Sequence, residues 1–299
     1  MAGEEYLGQL VGNHSVESNG SFVYRVPLQL PPGINDVRPN LSLAYNSTGD
    51  NGLLGIGWSI SGLSVIQRCK ASYVRDGFRS GVNDGQDYRY CMDGKRLVEV
   101  APNEYRTERE SFAHIFYNGT HWEVKYPSGF ISYFGTQANS RIDTQVWHLD
   151  KHADLWGNFY SVHYESDIEN SIRPSQIEYT ISALTPQAEY SIDFNYESRN
   201  DAIYKRFGSL HTKMNERLAS ITVNFSGSTQ WEYRLEYQED GESYFGKTYN
   251  DPVQLSRLWQ VNRCFLNDQD CQAPLQFDWS ERTQGQYYIK QWTRPPPRR

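Results

Sequence analysis

The stretch GDNGLLGIGWSISGLSVIQRC, residues 49–69, places five glycines in its first fourteen positions and ends on a cysteine. Two readings compete for it: a glycine loop that cradles phosphate, or a set of tight turns inside a β structure. A dinucleotide fingerprint needs G-x-G-x-x-G after a strand and at the opening of a helix. Here Gly55-x-Gly57 is followed by four residues, Trp58 to Ser61, before Gly62, so the third glycine is out of place. No lysine follows in P-loop register, and the next residues, LSVIQRC, have the β-branched character of a strand. The glycines therefore read as positions of positive φ or close backbone approach around Leu53, Leu54, Ile56, Trp58 and Ile60.

The hydrophobic period on either side is two. SFVYRVPLQL (21–30) alternates Phe22, Tyr24, Val26, Leu28 and Leu30 against mostly polar partners, and LSLAY (41–45) does the same. The intervening PPGINDVRPN is turn chemistry, with prolines fixing φ and Gly33, Asn35 and Asp36 tolerating turn conformations. From 88 to 164 short strands follow one another. RYCMDGKRLVEV turns at Asp93-Gly94, HIFYNGTHWEVKY at Asn118-Gly119, and VKYPSGFISYFG at Ser128-Gly129. Turn signals this regular indicate an antiparallel meander and not βαβ units.

The last third carries three hairpins of one form, at 173–198, 216–238 and 255–280. Each opens near an arginine, alternates aliphatics, turns, and closes on alternating aromatics such as Phe194-x-Tyr196 and Phe277-x-Trp279. Their anchors Ile177, Ile221 and Val261 lie 44 and 40 positions apart, the spacing of a stacked, repeated unit. Helix signals are scarce: HTKMNERLAS (211–220) admits a turn or two at most. Residues 1–12 read as a flexible leader, 13–284 as one β module, and 285–299, ending in RPPPRR, as a tail.

The chain has 299 residues, 29 basic against 36 acidic side chains, and a net charge of −7. No basic field exists to draw nucleic acid. No apolar run approaches the ~20 residues that span a bilayer, and the start MAGEEYLGQL lacks the apolar region of a secretory signal. The four cysteines, Cys69, Cys91, Cys264 and Cys271, allow three pairings, of which proximity favours Cys69–Cys91 and Cys264–Cys271; four buried thiols are the alternative. No C-x-x-C spacing points to zinc. His148 and His152 lie four apart, but in a segment that reads strand, turn, strand, where such residues stand ~13 Å apart. No metal or cofactor is expected. The sequence has no G-x-S-x-G elbow and no recognisable nucleophile–base set. Glu108-Arg109-Glu110 matches the acidic pair of ADP-ribosyltransferases only superficially, since no S-T-S strand accompanies it. The chain is therefore not expected to be an enzyme.

The block GSFVYRVPLQLPPGINDVRPNLSLAYNSTGDNGLLGIGWSISGLSVIQRC (20–69) closely resembles the amino-terminal family of the Salmonella virulence plasmid B protein, SpvB. The same module begins the B component of insecticidal Tc toxin complexes. Gly52, Gly55, Gly57, Trp58 and Gly62 carry the signature. Asp154, Gly157 and Asn158, in DLWGNFYSVHY, resemble the D-x-x-G-N core of RHS/YD repeats. The resemblance implies an all-β fold, an antiparallel meander of RHS-like hairpins (173–280) forming part of a hollow shell around a toxic effector. It also implies release to the exterior by a route without a visible signal peptide, with a cytoplasmic stage before release. Partners would be other shell segments or further copies meeting through sheet edges, with no nucleic acid and no direct membrane insertion. A module binding carbohydrate or surfaces through its Trp and Tyr side chains is the alternative.

Overall fold

The structure, a computed structural model, describes residues 8–82, 88–166, 171–207, 210–238, 242–244, 247–248, 254–265 and 270–279. Strands dominate, and all named strand pairs are antiparallel. The first strands are β1 (Asn13–Val16), β2 (Phe22–Pro27), β3 (Ser42–Asn46), β4 (Asn51–Gly52), β5 (Gly55–Ile56) and β6 (Trp58–Ser61). Next come β7 (Val65–Cys69), β8 (Arg89–Met92), β9 (Lys95–Ala101), β10 (Glu104–Thr107), β11 (His114–Tyr117), β12 (Trp122–Lys125) and β13 (Ile131–Phe134). They are followed by β14 (Arg141–Ile142), β15 (Val146–Ala153), β16 (Phe159–Ser166), β17 (Ile172–Ile181), β18 (Tyr190–Phe207), β19 (Leu210–Phe225) and β20 (Ser228–Tyr237). The last are β21 (Ser243–Tyr244), β22 (Lys247–Thr248), β23 (Leu258–Phe265) and β24 (Leu275–Gln276). Among the described residues there is one α turn, Tyr73–Asp76, capped by Gly77 in the left-handed region.

Three pieces are built from these strands. β1, β2, β3 and β6 form a small sheet in that order. β7 to β13 pair each with the next, and β15 pairs with both β13 and β7, which closes an eight-stranded barrel. From β15 the ladder continues outward as an open sheet, β16-β17-β18-β19-β20-β23-β24. β15 belongs to both: Val146–His148 pair with β7, while Lys151–Ala153 pair with β16.

The meander read from sequence is the barrel wall. The β8–β9 turn has positive φ at both Asp93 (50°) and Gly94 (76°), the twist that a two-residue hairpin needs. Side chains fill the barrel interior. Trp122 and Trp147 are fully buried with ring centroids 5.8 Å apart, and Tyr90 packs edge-on to Trp122 at 4.7 Å. Such tilted ring pairs add to the burial of their large apolar area. The three late hairpins are β17–β18, β19–β20 and β23–β24. Their anchors Ile177, Ile221 and Val261 are all completely buried. The segment 211–220 is a correction: it lies within strand β19 and contains no helical turn. Thr-Lys-Met-Asn-Glu has modest helix preference, and the ladder with β18 overrides it.

The small sheet lies across the open one. Val26, Leu28 and Leu30 share a core with Tyr179, Phe194, Tyr233 and Val261. The Tyr233 hydroxyl accepts from the Gln29 amide at 2.7 Å, and the Tyr179 hydroxyl reaches the Pro31 carbonyl at 3.4 Å. Of the expected leader, residues 8–12 lie against the module: Gln9 bridges to Ala273 and Leu10 is buried. Residues 1–7 and the expected tail 285–299 lie outside the described residues.

Candidate functional site

The glycine stretch forms a clamp between the small sheet and the open sheet. β4 and β5 make a two-residue ladder, Asn51 opposite Ile56 and Gly52 opposite Gly55. Leu54, at its turn, is completely buried. Gly55 (φ 83°), Gly57 (φ 73°) and Gly62 (φ 105°) occupy the left-handed region that excludes most L side chains. A Cβ on Gly55 would stand 2.2 Å from the Ser256 carbonyl oxygen, and one on Gly62 2.1 Å from that of Asn40. No phosphate-binding helix follows; β6 and β7 do.

The other side of the clamp comes from a break in the open sheet. In the β18–β19 ladder Ser198 pairs with Glu216, but the next paired residue, Ile203, faces Met214. The surplus residues 199–202 leave the ladder as a bulge, a device that re-aims side chains. Arg199 and Asp201 thereby turn toward the glycine hairpin, with side chains 0% and 4% exposed. Arg199 donates to both Asp201 carboxylate oxygens (2.8 and 2.9 Å), to the Gly52 carbonyl (2.7 Å) and to Asn51 Oδ1 (2.7 Å). Asp201 also accepts from Asn51 Nδ2 (2.9 Å) and from the Ser256 amide (2.7 Å) and hydroxyl (2.6 Å). Backbone bonds complete the joint: Leu218 donates to the Leu53 carbonyl and Ile56 to that of Ser256.

A buried ion pair is tolerable only when its remaining donors and acceptors are met, and here they are. Burial by itself would raise the Asp201 pKa, but hydrogen bonds from Arg199, Ser256 and Asn51 prevail and hold it well below the carboxylate range. Arg217 extends the network, donating to Glu197 at 2.6 Å while its guanidinium lies over the Tyr237 ring. At this clamp the Asp201 carboxylate is spent on fixed partners, the Ser256 hydroxyl among them.

Asp154, Gly157 and Asn158 form a second, separate tie at the β15–β16 turn. Asp154 accepts from the Trp156 and Asn158 amides (both 2.9 Å), from Asn158 Nδ2 (2.7 Å) and from Asn35 Nδ2 (3.0 Å). Burial raises its pKa, and these bonds from Asn35 and Asn158 outweigh it. Gly157 takes φ 84°. The D-x-x-G-N residues thus fasten a tight turn to the loop read as turn chemistry at 31–40. The turn holds Leu155 and Trp156 out in solvent.

Cys69 on β7 and Cys91 on β8 are joined by a disulfide, as are Cys264 and Cys271. His148 and His152 both lie on β15 and bind no common partner: His148 packs against Tyr164, and His152 is hydrogen-bonded to Ser132 at 2.8 Å and stacked on Phe130. Burial lowers the pKa of both, that of His148 to about 4. Among the described residues no group of three or more His, Cys, Asp or Glu is placed to hold a metal ion, and no helix is long and apolar enough to cross a membrane. Sequence reading missed Arg199, Asp201 and Ser256; the available signal was ESRND, where polar residues interrupt the strand alternation just past 198.

The fold has known counterparts. Residues 16–114 match the family described as Salmonella virulence plasmid 65kDa B protein, SpvB, in agreement with the resemblance carried by the glycine stretch. No curated protein matches the chain. The fold is shared with the crystal structure of TcdB2-TccC3 (TM-score 0.72, 14% identity, 93% of this chain and 17% of that one). It is shared also with the Tc holotoxin pore of Photorhabdus luminescens (TM-score 0.70, 14% identity, 93% and 16%). The N-terminal domain of the effector protein SpvB from Salmonella typhimurium LT2 has it too (TM-score 0.64, 17% identity, 81% and 99%). The chain spans about a sixth of the length of the Tc chains and nearly all of that SpvB domain.

Proposed function

We propose that this chain is a non-enzymatic structural module of a bacterial toxin complex, one segment of a β shell that encloses or presents a toxic effector. The observation that carries the reading is the coincidence of fold and joint. The chain shares the fold of a stretch within TcdB2-TccC3, and its signature residues are spent on a buried clamp between sheets. A wall segment needs rigid internal ties and open edges for its neighbours. Among the described residues β1 lies at the outer edge of the small sheet and β24 ends the open one. An unpaired strand edge is a template for another strand. Partners are accordingly other shell segments or further copies, and the module acts outside the producing cell in an oxidising setting that keeps both disulfides closed.

The test is co-production with the polypeptide encoded directly downstream, followed by sizing with light scattering and negative-stain electron microscopy. A stable complex with a hollow interior is expected. A solid particle, or a chain that remains monomeric at high concentration and ignores that polypeptide, overturns the proposal.

A further inference from the structure

The small sheet ends on β1, which pairs only with β2 among the described residues. The Glu17 amide donates to the Ser21 carbonyl. By the alternation of an antiparallel ladder, the main-chain groups of Asn13, Ser15 and Glu17 therefore point to β2, and those of His14 and Val16 point outward. Phe22 fits the same alternation, its amide and carbonyl turned the other way to Ser47. Edges of this kind are ordinarily guarded by charge, proline, a bulge or a covering segment. At the far end of the open sheet, Pro274 and the bridge from Gln9 to Ala273 supply such a guard. The stretch Asn13–Val16, NHSV, has no charged residue, no proline and no register shift.

Exposed apolar surface lies on this same edge. Val16 is 69% and Phe22 41% exposed, and the two are cross-strand neighbours. They share a face with a row of rings that crosses the small sheet: His14 opposite Tyr24, Tyr24 opposite Tyr45, and Tyr45 opposite Trp58. His14 also stacks on Phe22, with centroids 6.1 Å apart. On the other face Arg25, opposite Asn13, is exposed and forms no ion pair or hydrogen bond among the described residues. Glu17, exposed at the end of β1, lines the same side.

We infer that β1 pairs antiparallel with β1 of a second copy of this chain, about a two-fold axis at Ser15. A row of outward amides and carbonyls is met by another strand. Two-fold pairing requires outward groups to face outward groups, with opposite residues on one side of the sheet. Ser15 then stands opposite the partner's Ser15, and His14 exchanges backbone hydrogen bonds with the partner's Val16. The other symmetric centre, His14, would need Gly12 in the ladder, and Gly12 lies outside β1. The ring row from Trp58 to His14 runs on into the partner's Val16 and Phe22 and covers their exposed surface. On the other face Asn13 stands opposite the partner's Glu17. Arg25 is then two strand spacings from that carboxylate, ~10 Å between main chains, a gap that the two side chains span. A second copy is thus complementary in backbone, apolar row and charge together. The contact is at the small end of specific interfaces, below ~1,200 Å² in total, so the dimer is reversible. It names the partner for one of the edges on which the proposed shell role rests. Its readout is the chain alone, so the dimer can fail while the downstream polypeptide still assembles.

Sedimentation velocity of the full chain, from a few micromolar to several hundred micromolar, shows a concentration-dependent equilibrium between monomer and dimer. Val16→Lys puts a guarding charge on a side chain that is already exposed and weakens the dimer at least about tenfold. Glu17→Arg sets like charges against the partner's Arg25 and weakens it about fivefold, and adding Arg25→Glu restores it to within about twofold, which a folding defect would not do. Ser15→Cys reads the register. Opposite residues of a non-hydrogen-bonded antiparallel pair have Cα atoms about 4.5 Å apart, close enough to oxidise to an intermolecular disulfide. The four native cysteines are already paired with one another, so the new thiol is the free one. Asn13→Cys, placed opposite Glu17, cross-links at least about tenfold more slowly. A chain that stays monomeric at the highest concentration, a dimer indifferent to Val16→Lys and Glu17→Arg, or equal cross-linking of the two cysteine variants overturns the inference.

Discussion

The barrel and the open sheet are built from the same kind of strand, yet they solve different problems. The barrel, β7–β13 with β15, closes on itself and thereby abolishes its edges. Its core is internal, rings of Tyr90, Trp122 and Trp147 contributed by its own wall. The open sheet has no such closure. Its buried face, Tyr179, Ile221, Tyr233 and Val261, is covered by residues from the chain's other end, Val26, Leu28 and Leu30. It is also fastened at one point by the Arg199–Asp201 clamp on the glycine hairpin. A closed element carries its stability with it. An open one must borrow stability and is left with an edge.

The comparison is broken most severely at the clamp. Asp201→Ala leaves Arg199 buried without its charge partner and is expected to cost about 3–5 kcal/mol. Hydrogen exchange should show the loss in β18–β20 while barrel amides keep their protection; uniform loss across both would mean the two regions are one cooperative unit. The barrel has its own fastening. Cys69→Ser with Cys91→Ser opens a loop with a sequence separation of 22 and should cost about 3 kcal/mol in the chain-entropy view. Here denaturant melting should weaken the barrel first.

Gly55→Ala puts a Cβ against the Ser256 carbonyl at a positive φ and should cost about 1–3 kcal/mol. Gly119→Ala, at a positive φ in open space, serves as the control for φ alone. A pH-dependent effect falls on β15, the strand shared by barrel and open sheet. His148 on β15 is held neutral, its pKa lowered by burial to about 4. Because the folded value lies below the unfolded one near 6.5, its contribution is fully present above pH 6.5 and is lost as pH falls toward 4. His148→Phe should flatten the stability profile between those limits; an unchanged slope would place the titration elsewhere.

Local pattern made most of the barrel wall legible. Asp93-Gly94, Asn118-Gly119 and Ser128-Gly129 each mark a real turn because positive φ is a local demand that few residues satisfy. Closure was not legible, since the pairing of Phe134 with Leu149 or of Ile66 with Trp147 depends on no local signal. Nor was the clamp. Asn51 and Asp201 are 150 positions apart, and an Arg-Asn-Asp run reads as exposed polar residues until a bulge turns it inward.

The sequence by itself determined the all-β class, the existence of the late hairpins, the meaning of the misplaced glycine and the match of residues 16–114 to the SpvB family, because period, turn chemistry and motif spacing are properties of neighbouring residues. Only the tertiary structure decided what those glycines touch, that eight strands close while seven continue outward, and that Trp58 is buried beside Tyr45 and Phe277. Those facts depend on which distant surfaces bury one another, and burial is a property of the folded whole.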